Sequence, residues 1–343
     1  MITQQQEWIS ATAIAVTPVR NATMLVTRMA IIGRQLSLAL AVILIGVACA
    51  PQPSADPSAT AGRAAPAAAT AAVSEMRRIV SDGRDREYWI FVPEALDRSK
   101  PVALVLWLHG SGALVPGEDW RSSGLGELAR QRGFVVVFPQ AYGSTRQWNA
   151  GVCCGDASAA GVDDVAFVAR IIDAVAKEYP IDADRVYAGG FSMGGTMSNR
   201  LACDLADRFA AIATVPGTFY ATGCRPSRPV SVIALHGTGD LAMPYDGGKG
   251  PHSPNPEMVQ PSVESVIGDW RERFACAAPT VEQTPPVTKT SATCRGGADV
   301  VLYKAEGGDH RQPVGSVTGG SRATTDVPLV LDFFFAHRRS GTP

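Results

Sequence analysis

The sequence has no run of Lys or Arg, and its 31 basic and 32 acidic residues leave a formal net charge of −1. Such a balanced chain offers no footprint for nucleic acid or for an anionic membrane surface, so neither is expected as its main partner. It has no internal repeat, and past residue 76 no second break in composition appears, which points to one domain. Histidine is scarce: His109, His236, His252, His310 and His337 are the five in 343 residues, so imidazole chemistry has few candidates. None of the seven cysteines stands in the spacing of a metal site. Cys153 and Cys154 are adjacent with no further Cys or His nearby, so no metal is expected, and nothing else in the sequence calls for a cofactor.

What the chain does have is 46% apolar residues, ample for a sizeable core, behind an unusual front end. Arg28 and Arg34 precede an apolar run over 36–47, which ends in the small residues Ala48-Cys49-Ala50. A short apolar run behind positive charge reads as a secretory signal, because it is too short to span a bilayer. Residues 1–50 are assigned to this signal, with Met24 or Met29 as alternative starts. Val47-Ala48-Cys49 resembles a bacterial lipobox, although Gly46 stands where Leu is usual. Cys49 is therefore a lipidation candidate beside ordinary cleavage after Ala50, and a lipid there is the one membrane attachment expected. Residues 51–76 are rich in Ala, Pro, Ser, Thr and Gly, a composition that buries too little apolar surface to offset its ordering entropy, and are read as a disordered tether. The catalytic domain is expected over 77–338. Destined for the cell envelope or beyond, the chain is expected to form disulfides among Cys153, Cys154, Cys203, Cys224, Cys276 and Cys294. Six cysteines allow fifteen connectivities. Nearness in sequence favours Cys203 with Cys224 and Cys276 with Cys294, which leaves Cys153 with Cys154.

Strand-like apolar runs lie at 87–92, 102–108, 134–138, 185–188, 211–215, 230–235 and 300–304, and helix-like runs at 124–132, 162–178, 193–205, 261–274 and 327–338. Their alternation predicts an α/β fold, a mainly parallel sheet with helices on both faces.

One motif carries chemistry. Gly190-Phe191-Ser192-Met193-Gly194-Gly195 contains Gly-x-Ser-x-Gly, with a strand-like run leading in and a helix-like run leading out. That context predicts a tight strand–turn–helix that presents the Ser192 hydroxyl at the sheet's C-terminal edge. A serine hydroxyl is a weak nucleophile, so it needs a base that a third group orients. In this fold the acid and then the histidine follow the serine. His310, after the last strand and the Gly307-Gly308 pair, is the expected base, with His252 as the alternative. His236 and His337 read as structural. Asp240, in His236-Gly-Thr-Gly-Asp240, is the expected acid, with Asp246 behind it. The oxyanion of an acyl-transfer intermediate needs preorganised N–H donors. Met193 N–H is one, and Ser111 N–H in Leu108-His-Gly-Ser-Gly112 is the other, with Gly110 as alternative.

Together these stretches, with Gln147-Trp-Asn-Ala-Gly151 before Cys153-Cys154-Gly155, Val162-Asp-Asp-Val165 and Pro244-Tyr245, resemble the polyhydroxybutyrate-depolymerase-like and feruloyl-esterase group of α/β-hydrolases over roughly 80–337. The resemblance implies the α/β-hydrolase fold, a Ser192–Asp240–His310 triad and no cofactor. It further implies a secreted or lipid-anchored carboxylesterase acting on hydroxyalkanoate or feruloyl-type polysaccharide esters. One place departs from the group: the segment usually written Gly-Gly-Gly-His-x-Trp-Pro-Gly reads Gly307-Gly-Asp-His-Arg-Gln-Pro-Val314, with Gln312 for Trp. Trp148 and Gln312 are the expected substrate contacts. Asp163 and Asp164 read as helix-start or supporting residues. A peptidase or an acyltransferase would use the same machinery, and a non-catalytic binding protein is the remaining alternative.

Overall fold

The run Val102–Leu108 contains no polar residue, and a strand of that kind must be covered on both faces. The computed structural model describes residues 72–112, 123–151, 155–218 and 223–339. The signal at 1–50, Cys49, most of the tether, Cys153 and Cys154 lie outside the described residues. The strands are β1 (Val73–Ser81), β2 (Arg84–Val92), β3 (Val102–Leu108), β4 (Val135–Pro139), β5 (Ile181–Phe191), β6 (Ala211–Val215), β7 (Ser231–Gly237), β8 (Gly248–Lys249), β9 (Val259–Gln260), β10 (Thr280–Thr284), β11 (Val287–Thr293) and β12 (Asp299–Ala305). The helices are α1 (Leu125–Arg132), α2 (Gly155–Ala159), α3 (Asp164–Glu178), α4 (Met193–Asp204), α5 (Val263–Arg273), α6 (Gly315–Thr318) and α7 (Val327–Ala336).

Ten strands form one sheet in the order β1-β2-β4-β3-β5-β6-β7-β12-β11-β10. From β4 to β12 the neighbours run parallel, and the outer strands on both flanks are antiparallel. Side chains alternate between the two faces, as strand geometry requires. Leu104, Leu106 and Leu108 join α3 (Phe167, Ile171, Val175), α4 (Met197, Leu201) and α5 (Ile267, Trp270) on one face. Ala103, Val105 and Trp107 join α1 (Leu125, Ala129) and α7 (Val330, Leu331, Phe334) on the other. Disulfide Cys203–Cys224 ties the end of α4 to the loop before β7, and Cys276–Cys294 ties the segment after α5 to the residue that follows β11.

The sheet begins at Val73, four residues before the expected start at 77, because β1 pairs with β2 along its whole length. Three strands of the ten-stranded sheet had no counterpart in the sequence reading: β1, β10 and β11. All three lie at or beside an edge, and β10 is exposed at every position, so they carry no apolar run to mark them. A buried ion pair also sets the frame. Arg86 on β2 donates to Asp164 Oδ1 at 2.7 Å, and the other carboxylate oxygen accepts from Asn149 N–H at 2.8 Å. The Arg86 guanidinium lies 3.9 Å from the Phe167 ring centroid. Burial pushes the Asp164 carboxyl up, against the pull of Arg86 and the Asn149 N–H. Asp163 caps α3 by accepting from Ala166 N–H at 2.8 Å.

Candidate active site

Because β3, β5, β7 and β12 are parallel, their C-terminal ends share one edge of the sheet, where α/β folds bind ligands. β5 ends at Phe191 and α4 begins at Met193, so Ser192 occupies the whole turn, with φ 55° and ψ −121°. That left-handed backbone at a non-glycine residue is strained and is held by its surroundings. Ser192 N–H donates to Val215 O at 3.2 Å, and Thr196 N–H donates to Ser192 O at 3.1 Å. Gly194 must lack a side chain, since a Cβ there would lie 2.0 Å from Leu108 O.

Two further loops meet this turn. The one after β7 carries Asp240 and the one after β12 carries His310. They are knitted together: Gly239 N–H donates to Gly308 O at 3.0 Å, Thr238 N–H to Ala305 O at 2.9 Å, and Gly307 N–H to Thr238 Oγ1 at 2.8 Å. Here Gly237 passes so close that a Cβ would fall 2.0 Å from Gly308 O. The result brings three side chains into line. Ser192 Oγ lies 3.1 Å from His310 Nε2, and His310 Nδ1 lies 2.8 Å from Asp240 Oδ2. Asp240 is fully held, with Oδ1 accepting from Ala242 and Met243 N–H at 2.8 Å each. Its Oδ2 also faces His236 Nε2 at 3.4 Å. Burial alone would raise the Asp240 carboxyl, but hydrogen bonds with His236 and His310 outweigh it and hold the group well below the usual carboxylate range. An ionised Asp240 requires the proton on His310 Nδ1, which leaves Nε2 as the acceptor for the Ser192 hydroxyl.

His236, read from sequence as structural, thus touches the acid. Its Nε2 also lies 2.7 Å from Met243 O, an oxygen that can only accept, so that nitrogen carries a proton. His337 caps the far end of α7 and pairs with Asp299 at 3.0 Å. Asp246 is exposed in the loop beyond and has no place in the Ser192–His310 line.

The loop after β3 is shaped by His109. Ala141 N–H donates to His109 Nε2 at 3.1 Å, which fixes the ring proton on Nδ1, 2.6 Å from Gly110 O. In a planar trans peptide the Ser111 N–H points opposite to that carbonyl, away from the ring. Ser111 lines the cleft beside Ser192, and its own hydroxyl is buried with no hydrogen-bond partner among the described residues. Met193 opens α4, so its N–H is one of the helix's first donors, which have no acceptor within the helix.

A cleft of about 620 Å³ opens over these groups, lined among others by Ser111, Ser192, His252, His310, Arg311, Gln312 and Arg322. Gln312 is therefore in the wall. Trp148 is not, and the expectation for it is corrected: it is fully buried, its indole N–H donates to His109 O at 2.9 Å, and its ring lies 5.0 Å from the His109 ring. It props the His109 loop from beneath, out of reach of a ligand. His252, Arg311 and Arg322 in the wall were not singled out as substrate contacts. No apolar periodicity marks them, and only the meeting of separate loops brings them there. Among the described residues no group of three or more His, Cys, Asp or Glu side chains is placed to hold a metal, and no helix is long and apolar enough to cross a membrane.

Comparison with known proteins bears on the family and the fold. The prolyl oligopeptidase family model matches residues 105–225. The chain is 32% identical over 316 residues to the putative esterase NocK of Nocardia uniformis subsp. tsuyamanensis, covering 82% of this chain and 90% of that protein. It is 32% identical over 243 residues to feruloyl esterase B of Piromyces equi, covering 68% of this chain and 44% of that longer protein. In fold it is similar to the acetyl xylan esterase from Aspergillus awamori, with a TM-score of 0.54 at 16% identity, over 76% of this chain and 99% of that one.

Proposed function

The chain belongs to the α/β-hydrolase esterase family of the putative esterase NocK and the feruloyl esterases and is a carboxylic-ester hydrolase, and from that premise we propose that it works through an acyl-enzyme on Ser192. The observation that carries the proposal is the unbroken line from Ser192 Oγ through His310 to Asp240, at 3.1 and 2.8 Å. Ser192 Oγ attacks the ester carbonyl carbon while His310 Nε2 takes the hydroxyl proton. Asp240 fixes the imidazole by its Nδ1–H and offsets the charge of the imidazolium. The carbonyl π pair moves onto oxygen, where the N–H groups of Ser111 and Met193 bind the oxyanion, with the Ser111 hydroxyl as a further donor. When the tetrahedral intermediate collapses, the bond to the alcohol oxygen breaks and His310 returns its proton to the departing alcohol. Water then repeats the sequence on the acyl-enzyme, releasing the acid and restoring Ser192.

Hydroxyalkanoate oligomers and feruloyl-type esters of polysaccharide are the substrates this reading favours. Support for the aromatic class comes from the feruloyl esterase among the relatives. Export is the matching location: the N-terminal apolar run and the two disulfides both suit an oxidising compartment. Hydrolysis of methyl ferulate and of a 3-hydroxybutyrate oligomer, by the enzyme and its Ser192→Ala variant, tests the proposal. Cleavage of either ester that vanishes in the variant supports it. Full activity in the variant overturns it.

A further inference from the structure

The antiparallel flank of the sheet runs past α7 and leaves a groove between them. On one side stand alternate residues of two paired strands, Lys289, Ser291 and Thr293 of β11 and Asp299, Val301 and Tyr303 of β12. On the other stand Leu329, Asp332 and Phe333 of α7 with His337 at its end, which share one helix face. The groove holds about 430 Å³, inside the range of small-ligand sites, about 300–1,000 Å³. Among the described residues it shares none with the cleft over Ser192.

Its charges are already matched. Lys289 Nζ lies 3.2 Å from Glu282 Oε1, and Asp332 Oδ1 lies 2.6 Å from Arg132 Nη1. Asp299 Oδ2 lies 3.0 Å from His337 Nε2, and its Oδ1 accepts from Thr293 Oγ1 at 2.7 Å. The hydroxyls are not matched. Ser291 Oγ is buried with no hydrogen-bond partner among the described residues. Tyr303 is half-buried, and burial pushes its phenol up, so the group stays protonated and can donate. Between these polar groups the floor is apolar, from Ile233, Val301 and Leu329, with the Phe333 ring 4.2 Å from the His337 ring.

A wall whose ions are paired gives a charged ligand no net attraction, and an apolar floor alone would not need the hydroxyls. A neutral sugar ring suits both. Its C–H faces lie against apolar and aromatic side chains, and its hydroxyls donate to paired carboxylates and accept from Ser291 and Tyr303. We propose that the groove between α7 and the β11–β12 flank binds neutral carbohydrate, as a site separate from the catalytic cleft. The strand that carries Asp299 and Tyr303 leads on to His310, so a polysaccharide seated in the groove is held on the domain that bears the nucleophile. The binding itself does not depend on the Ser192 esterase reading.

Calorimetric titration of the full chain with xylotriose, cellotriose and maltotriose tests this, since these neutral trisaccharides carry no ester to be cleaved. At least one is expected to bind with a Kd of about 1 mM or tighter. In S291A/Y303L, which removes both unmatched hydroxyls and one ring, that Kd should rise about tenfold or more. Hydrolysis of a small soluble ester, 4-nitrophenyl acetate, should be unchanged in the same variant, because neither residue lines the cleft over Ser192. Should the variant fail to fold, the unaltered enzyme decides by a second measurement: bound trisaccharide is expected to slow acetylation of Lys289 by acetic anhydride, read by peptide mass. No binding of any of the three sugars overturns the proposal, and so does equal binding to the folded variant or an unprotected Lys289. Tighter binding of trigalacturonate than of every neutral trisaccharide overturns the assignment to a neutral ligand. Each of these results leaves the esterase reading untouched, and loss of that reading leaves the sugar site standing.

Discussion

Asp240→Asn changes one atom and tests what the donors around that carboxylate accomplish. Oδ1 accepts from Ala242 and Met243 N–H, both at 2.8 Å, while Oδ2 faces His310 Nδ1 at 2.8 Å and His236 Nε2 at 3.4 Å. An amide can keep its oxygen on one of these sides only. With oxygen toward the histidines, the NH₂ group meets two backbone N–H groups and leaves buried donors without acceptors, each costing about 1–3 kcal/mol. The amide oxygen therefore stays with the backbone pair and the NH₂ group faces His310. That reverses the imidazole tautomer: Nδ1 becomes the acceptor, the proton moves to Nε2, and Ser192 loses its base. The expected loss in kcat is about 10⁴-fold, roughly 5.5 kcal/mol of activation free energy, with KM little changed. The assay is steady-state ester hydrolysis with a thermal melt alongside to show that the variant is folded. A folded D240N enzyme that keeps more than about a tenth of the wild-type kcat refutes the reasoning.

Two other perturbations follow from buried charges away from the nucleophile. Arg86→Met strands Asp164, which is fully buried, and should cost about 3–5 kcal/mol, read as a fall in denaturation midpoint; an unchanged midpoint contradicts the pairing. Asp326 is pushed up to about 6, chiefly by burial, against the N–H groups of Val314 and Gly315. A carboxyl raised in the folded state stabilises that state fully below its unfolded pKa, near 3.9, and this contribution fades as pH rises through about 6. It is worth at most about 3 kcal/mol. Subtracting the melting profile of Asp326→Asn from that of the wild type should therefore leave a component that declines between about pH 4 and 6, and parallel profiles contradict it.

The central sheet was legible because burial on two faces leaves a mark in one dimension. The runs at 102–108 and 211–215 coincide with β3 and β6, in which every residue is buried. β10 and β11 left no such mark. Thr280–Thr284 is exposed throughout, and polar residues pair in a hairpin by backbone bonds that any sequence makes. Ser192 stood out because its glycines, the apolar run before it and the helical run after it occupy consecutive positions. His310 and Asp240, placed by chain order after their strands, join it in series: His310 meets Ser192 at a sequence separation of 118, and Asp240 meets His310 at a separation of 70. Contacts between loops left less trace. Trp148 looked like a substrate contact by its type, yet its indole N–H is committed to His109 O, and nothing local announces that bond. The same holds for Arg86 with Asp164, 78 residues apart. The cleft's two arginines flank a histidine and a short turn that meet only in the folded chain.

The central claim is that Ser192 becomes acylated. Rapid quenching of the enzyme with a chromogenic acetate ester, followed by mass analysis of its peptides, measures this directly. The account predicts a burst of one alcohol per enzyme molecule and an added acetyl mass on the peptide that contains Ser192, both absent from Ser192→Ala. Turnover without an adduct in Ser192→Ala at the wild-type rate, or an adduct on a different residue, would contradict it.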